Sequence, residues 1–419
     1  MINQRSLQVV SQGKLLSGFL KPQYETYCFS QIPNTILTLF GIGSQGLPSD
    51  CIRPGTCDRV VLLLIDGFGW KFLDKYKDRY PFLKRFFDAG VVSKLTSQFP
   101  STTAAHITTL CSNQIVGDHG IYEWFMYEPL LERVVAPLLY TFAGDKKIGS
   151  LESVMSPAEF FPQGSFFKEL QKHHIHCTIF QQENIANSVY SKWMFDGAAR
   201  VSYKDWPQAV KLLKESLHSP GFYYLYFGDF DTEAHHHGET SPEVEKALDR
   251  CFLELEATLM STPFPDSTAL LVTADHGMID IHPSTTLYLN QKFPDLEGKL
   301  KRGADGHVLA PAGSCRDFFL HVQPHYIMEV FNELKAGLSE IAWVCLTTEL
   351  IERGFFGPKG ISPRCQKRMA DIAIIAKGSQ AIWWFEKGRF EQNLYAMHGG
   401  LTPDELETIF LFLKPTPKS

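Results

Sequence analysis

Three short apolar runs, each closing on an aspartate, constrain the fold of this chain more than any other feature. Val60 to Ile65 (VVLLLI) ends in Asp66-Gly67, and Gly221 to Phe227 (GFYYLYF) runs into Gly228-Asp229-Phe230-Asp231. Ala269 to Thr273 (ALLVT) ends in Ala274-Asp275-His276-Gly277. A strand with no polar face must be covered on both sides, which is the condition of a parallel sheet packed between helices. A helix is predicted between the second and third runs. Ser241 supplies its N-cap, Pro242 its first turn and Glu243 a carboxylate beside the positive end of the helix dipole. Val244, Leu248, Cys251, Phe252, Leu255 and Leu259 then share one stripe. Strand, helix and strand in that order make a βαβ unit. The predicted fold class is therefore α/β, with a mainly parallel central sheet flanked by helices.

With 419 residues, the chain has room for one large domain carrying an insertion, or for two domains. The stretch from Pro283 to Lys367 is rich in turn residues, with one strand-like run at Asp317 to Val322 and a helix-like Ile327 to Leu338. It reads as an insertion or cap. Ile372 to Ala376 (IAIIA) reads as a late strand. A net charge of −6 without a Lys/Arg block argues against a nucleic acid duplex as partner. Nine cysteines without a Cys-x-x-Cys pair argue against a zinc finger and suit a reducing compartment. The first residues lack an apolar core of signal-peptide length, and no apolar run reaches the ~18 residues that a membrane helix needs. The expectation is a cytoplasmic protein without a membrane partner, export without a cleaved signal being left open.

Open α/β sheets bind ligands beyond the carboxyl ends of their strands. Here three aspartates stand at that edge, two with histidines close by, and together they exceed what helix capping explains. Asp231 and His235 are four residues apart, so on a helical turn they share a face. Carboxylate and imidazole suit Zn²⁺ and are compatible with Mn²⁺. His236 and His237 would point elsewhere. Asp275 and His276 are adjacent, so they either face two neighbouring metals or approach one metal from different sides. Pro100-Ser101-Thr102-Thr103-Ala104-Ala105-His106 reads as a helix start. A hydroxyl there could be a cap, or could attack phosphorus with backbone N–H groups holding the phosphate oxygens.

Taken together, Asp66-Gly67, Pro100-Ser101-Thr102-Thr103, His119-Gly120-Ile121, Asp231-x-x-x-His235-x-x-Gly238, Asp275-His276-Gly277-Met278 and His398-Gly399-Gly400 resemble the alkaline phosphatase superfamily. The likeness is to its nucleotide pyrophosphatase/phosphodiesterase branch and runs from about residue 58 to 400. The resemblance implies an alkaline-phosphatase-like catalytic domain over residues 58–282 and 368–419, an inserted cap subdomain over 283–367, and an N-terminal extension over 1–57 packed on the main domain. It implies two divalent metal ions, zinc first and manganese second. Asp66, Thr103, Asp275 and His276 would hold one; Asp231, His235 and His398 would hold the other. Thr103 would be the nucleophile, with Thr102 the alternative one register away. His398 is preferred to His307 or His282 because its Gly-rich turn permits close approach.

The sequence also departs from that pattern. Ala104-Ala105-His106 stands where Phe-Pro-Asn-His is frequent, and Tyr122-Glu123-Trp124 where an asparagine donor to phosphate is frequent. Phe230 and Ala234 replace a usual proline and glycine. The implied function is a two-metal phosphodiesterase or nucleotide pyrophosphatase working through a phosphothreonine, on a small phosphorylated substrate such as a nucleotide. The alternatives are a phosphomonoesterase or phosphoglycerate-mutase-like phosphotransferase on the same fold, and a non-catalytic degenerate member. Trp124, Phe125 and Tyr127 are candidates to stack on a base, though an aromatic cluster is more often core.

Overall fold

The computed structural model describes residues 1–15, 18–43 and 45–414. Ten strands carry the architecture: β1 (Arg59–Ile65), β2 (Val91–Thr96), β3 (Cys177–Gln182), β4 (Ala199–Tyr203), β5 (Gly221–Phe227), β6 (Thr268–Thr273), β7 (Asp317–Leu320), β8 (Ala342–Leu346), β9 (Ile372–Ala376) and β10 (Glu407–Leu413). Seven of them form the central sheet in the order β2-β10-β6-β1-β5-β3-β4. Only β10 runs against the rest, pairing antiparallel with β2 and β6. The protein is thus α/β with a mainly parallel central sheet.

Strand β1 lies between β5 and β6, parallel to both. Its residues alternate between two cores. Val60, Leu62 and Leu64 join one and Val61, Leu63 and Ile65 the other, as a sheet covered on both faces requires. The register fixes where the chemistry goes. Ile65 is level with Phe227, and Leu64 with Thr273. All three strands therefore stop at one edge, so Asp66, the Gly228 turn and Ala274-Asp275 emerge side by side.

After β5 the chain passes at once into a helix, Asp229–His237, and then into a second, Pro242–Glu254, capped by Ser241 as its sequence requires. The N-terminal residues add to the outer edge of the sheet, with Asn3 N–H donating to the Val92 carbonyl at 2.8 Å. A smaller antiparallel sheet, β7-β9-β8, has its own core from residues such as Phe318, Leu320, Val344 and Ile374. Ile372–Ala376 is a strand, and its partners are β7 and β8, so the smaller sheet continues past residue 367. A hairpin-like sheet over Met126–Glu128, Arg133–Ala136 and Thr141–Phe142 lies outside every sequence expectation. Among the described residues no helix is long and apolar enough to cross a membrane, and all nine cysteines are buried and unpaired.

Candidate metal centre and active site

Three turns at the carboxyl edge of the sheet bring the carboxylates together. Gly67 follows β1 with φ +72°, a left-handed conformation that costs glycine little. Its N–H donates to Asp275 Oδ1 at 3.2 Å. A Cβ at Gly67 would lie 3.3 Å from Asp231 Oδ1, so the turn draws the ends of β1, β5 and β6 into contact. In Asp229–His237, Asp231 and His235 share a face, with Oδ2 and Nε2 3.3 Å apart.

Two groups of potential ligands result: Asp231, His235 and His398, and Asp66, Asp231 and His276, the ligand atoms in each lying within 4.8 Å of one another. His276 Nε2 is 3.3 Å from Asp66 Oδ1 and 3.4 Å from Asp275 Oδ2. His398 Nε2 is 3.7 Å from Asp231 Oδ1, and its ring stacks on that of His276 at 3.6 Å between centroids. The structure brings together Asp66, Asp231, His235, Asp275, His276 and His398. His282 and His307 are exposed and lie outside both groups.

The donor chemistry fits divalent cations. Each of the three histidines turns Nδ1 to a backbone carbonyl: His235 to Ala396 at 2.7 Å, His276 to Gly277 at 3.0 Å and His398 to Ser101 at 2.9 Å. A carbonyl can only accept, so the proton sits on Nδ1 and the Nε2 lone pair faces the carboxylates, as in metal-ligating histidines. Asp231 Oδ1 and Asp275 Oδ2 are buried without a hydrogen-bond partner. The ion pairs of Asp66, Asp231 and Asp275 among the described residues are with histidines only.

Burial, then the charges of Asp275 and Asp231, push the Asp66 carboxyl well up, and burial pushes Asp275 up to about 7. Burial also raises Asp231, but His235 and His398 outweigh it and hold its carboxyl low. Burial drives His276 and His398 far down. Burial lowers His235 as well, but Asp231 outweighs it and pulls that imidazole upward. Three crowded carboxyls facing the neutral imidazoles of His276 and His398 still make a site short of positive charge.

Thr103 opens the helix Thr103–Ser112, with Thr102 as its N-cap. Thr103 Oγ1 lies 3.2 Å from His276 Nε2 and 3.4 Å from Asp66 Oδ1. Thr102 lends its carbonyl to His106 Nδ1 at 2.7 Å, while His106 Nε2 accepts from Gln98 N–H at 2.8 Å. His106 thus staples the loop on which Thr103 sits. His119 is internal, bonded to Thr109 and Ile121.

Sequence reasoning missed Tyr226. Its hydroxyl donates to Asp66 Oδ2 in a short hydrogen bond. The available signal was a polar-tipped aromatic in the last turn of a strand otherwise destined for the core. A cavity of about 1010 Å³ opens onto the site, lined by Asp66, Thr103, Tyr226, Asp231, His235 and His398 on one side. Its other walls include Ile107, Leu138, Tyr190, Phe195, Trp383 and Phe390. Trp124 and Phe125 also line it, whereas Tyr127 stacks on His321. His236 reaches the cavity; His237 is exposed and pairs with Glu233.

A parallel-sheet α/β scaffold with aspartates and histidines at one strand edge and a threonine among them defines an alkaline-phosphatase-like hydrolase fold. Residues 60–400 match the type I phosphodiesterase / nucleotide pyrophosphatase family, and the chain belongs to it. It is 23% identical over 271 residues to mouse ectonucleotide pyrophosphatase/phosphodiesterase family member 1, covering 62% of this chain and 28% of that relative. Human family member 7 is 24% identical over 307 residues, covering 67% of this chain and 63% of the relative. The chain thus spans under a third of the first relative's length. Murine ectonucleotide pyrophosphatase / phosphodiesterase 5 in complex with AMP superimposes with a TM-score of 0.62 at 18% identity, covering 84% of this chain and 87% of that one. Phosphonoacetate hydrolase from Sinorhizobium meliloti in complex with phosphonoformate gives 0.59 at 17% identity, covering 86% and 90%.

Proposed function

We propose that the protein hydrolyses a phosphate diester by a double displacement on Thr103, with two divalent cations. The observation that supports this most directly is that two ligand groups share Asp231 and that the Asp66 and His276 of one of them meet a single threonine hydroxyl. Asp66, Asp275 and His276 would hold one cation beside Thr103; Asp231, His235 and His398 would hold the other. When bound, such a pair lowers the pKa of a hydroxyl and offsets charge on the entering and leaving oxygens.

The chain's own residues supply the rest. The helix start presents backbone N–H groups to phosphate oxygens. Thr103 Oγ1 attacks phosphorus, and the bond to the leaving oxygen breaks as the Oγ–P bond forms. Water then attacks the phosphothreonine from the opposite side; the Oγ–P bond breaks and Oγ regains a proton. Two inversions give retention at phosphorus.

Tyr226 orients Asp66 by its hydrogen bond, and His106 holds the Thr102 carbonyl. The cavity of about 1010 Å³ has room for both arms of a diester, with Trp124 and Phe125 as stacking surfaces for a base. A nucleotide substrate accords with the AMP bound by the murine phosphodiesterase 5. The test is hydrolysis of bis-p-nitrophenyl phosphate, the monoester and a set of nucleotides, with added Zn²⁺ or Mn²⁺. Metal-dependent cleavage of the diester in preference to the monoester is expected. Faster cleavage of the monoester would turn the reading to a phosphomonoesterase, and a chain that binds neither metal would turn it to a non-catalytic member.

A further inference from the structure

His398 is the one residue of the cluster delivered by neither a strand of the central sheet nor the helix after β5. It stands just after the two-residue strand Ala396–Met397, which pairs antiparallel with Ile279–Asp280 outside the central sheet, so further contacts must set its ring. Part of the answer lies on its own side. Ser101 accepts the imidazole N–H at its carbonyl, and its hydroxyl donates to the Gly400 carbonyl at 2.8 Å. The other part comes from the segment leading into β7, more than 80 residues away in sequence.

Ser314 Oγ lies 2.5 Å from Asp317 Oδ1 and 3.2 Å from the His398 carbonyl oxygen, so the hydroxyl proton is shared between two acceptors. Arg316 is fully buried and grips Glu405, with Nε–Oε1 at 2.8 Å and Nη2–Oε2 at 2.9 Å. The same Glu405 carboxylate accepts from Gly400 N–H at 3.0 Å and from Thr402 Oγ1 at 2.6 Å. Between these two attachments lies Gly399, with φ +120°. A Cβ there would lie 2.5 Å from Asp317 Oδ1, 2.6 Å from Ser314 Oγ and 3.2 Å from Glu123 Oε1. The loop is thus pressed onto those three side chains closely enough that only glycine fits.

We propose that Ser314, Arg316 and Asp317, with Glu123, form a clasp that positions His398 for the cation of the Asp231 group. The proposal rests on the two-cation reading above. The clasp brings the smaller sheet into the metal site without supplying a ligand to it: β7 carries Asp317, and the residues just before it hold the loop by a backbone carbonyl and a carboxylate.

Glu123 and Asp317 are both about 1% exposed, and each keeps one carboxyl oxygen without a hydrogen-bond partner. Burial pushes Glu123 up to about 8; burial and then Glu123 push Asp317 upward too. Two such groups side by side do not both carry charge. A neutral amide therefore replaces Asp317 with little loss, provided it still accepts from Ser314.

The test is calorimetric titration of the metal-stripped full-length protein with Zn²⁺, with thermal unfolding measured on every variant. The wild type should show two binding events, and the one that disappears in His398→Ala marks the Asp231 group. Ser314→Ala and Asp317→Ala should weaken that event by roughly 10- to 100-fold, as loss of a ligand's supporting partner does, and leave the other within about twofold. Asp317→Asn should restore most of the affinity lost in Asp317→Ala. Ser314→Ala deletes a single hydroxyl, so it keeps the test decisive should Asp317→Ala fail to fold. If Ser314→Ala leaves both events unchanged, or weakens both in step with a loss of thermal stability, the clasp is overturned and the two-cation reading stands. A wild type that binds fewer than two ions overturns the two-cation reading itself, and the clasp with it.

Discussion

Thr103 Oγ1 stands 3.2 Å from His276 Nε2, the atom that also faces Asp66 and Asp275. The contact joins a helix N-terminus to a turn between strands 173 residues further along the chain. It separates Thr103 from its neighbour, since among the described residues the Thr103 hydroxyl, and not that of Thr102, is within hydrogen-bond distance of Asp66 and His276.

Thr103→Ala should lower diesterase turnover by roughly 10³-fold or more, because no other hydroxyl in the helix start contacts the ligand groups. Metal content should stay near that of the wild type. Thr102→Ala should retain most activity. Steady-state rates alongside elemental analysis check both, and the reverse outcome would make Thr102 the nucleophile.

Tyr226→Phe keeps the ring packed and removes the hydroxyl that holds Asp66 Oδ2. Partners that orient ligands are worth about 10- to 100-fold in affinity or activity. The expected result is a loss of that size in apparent metal affinity, read from activity against free metal concentration, with a thermal midpoint little changed. An unaltered metal dependence would show that Asp66 is held by its other contacts.

The sequence made the centre of the sheet and the chemistry at its edge legible, for one physical reason: both are local. Val60–Ile65 cannot be anything but covered on both faces, and an aspartate that ends such a strand must emerge at its carboxyl edge. Asp231 and His235 are tied by helical spacing alone. His398 is different. Nothing within a few residues of it says which group it joins; the likeness to a known family did that, and the structure shows that its contacts come from Ser101, Ser314, Asp231 and His276. Ile372–Ala376 was readable as a strand, but its pairing with β7 and β8 is set by partners 26 to 58 residues away, beyond what periodicity can reach. Tyr226 was hidden because a buried tyrosine in GFYYLYF looks like packing until the atom at its tip is known.

His106 Nδ1 donates to the Thr102 carbonyl and Nε2 accepts from the Gln98 N–H, all within a buried setting that pushes the imidazole pKa down to about 4. His106→Leu would leave the Gln98 N–H buried and unpaired, while the Thr102 carbonyl would keep the backbone N–H of residue 106, which donates to it at 3.2 Å. With one orphaned group, the variant should lose about 1–3 kcal/mol of unfolding free energy. Denaturant unfolding measures this, and a loss under about 1 kcal/mol would mean that another group or water takes up the bond.

His321 provides a pH probe that belongs to neither ligand group. It is buried against Tyr127, its Nε2 has no hydrogen-bond partner, and burial, with Lys301 adding to it, pushes its pKa down to about 3. In the unfolded chain an ordinary histidine titrates near 6.5. Between those values the unfolded state binds a proton that the folded state refuses, so the unfolding free energy rises with pH across the interval. The neutral ring's contribution is therefore intact above pH 6.5 and is lost progressively as the pH falls toward 3. At pH 5 the loss amounts to roughly 2 kcal/mol. His321→Phe keeps an aromatic ring and cannot bind the proton, so the drop in stability from pH 7 to pH 5 should be smaller than in the wild type by about that amount. Urea unfolding of the metal-stripped protein at the two pH values gives the comparison directly, and other buried histidines such as His106 and His119 cancel because both proteins contain them. An identical drop in the variant and the wild type would mean that His321 is protonated in the fold, against what its burial dictates.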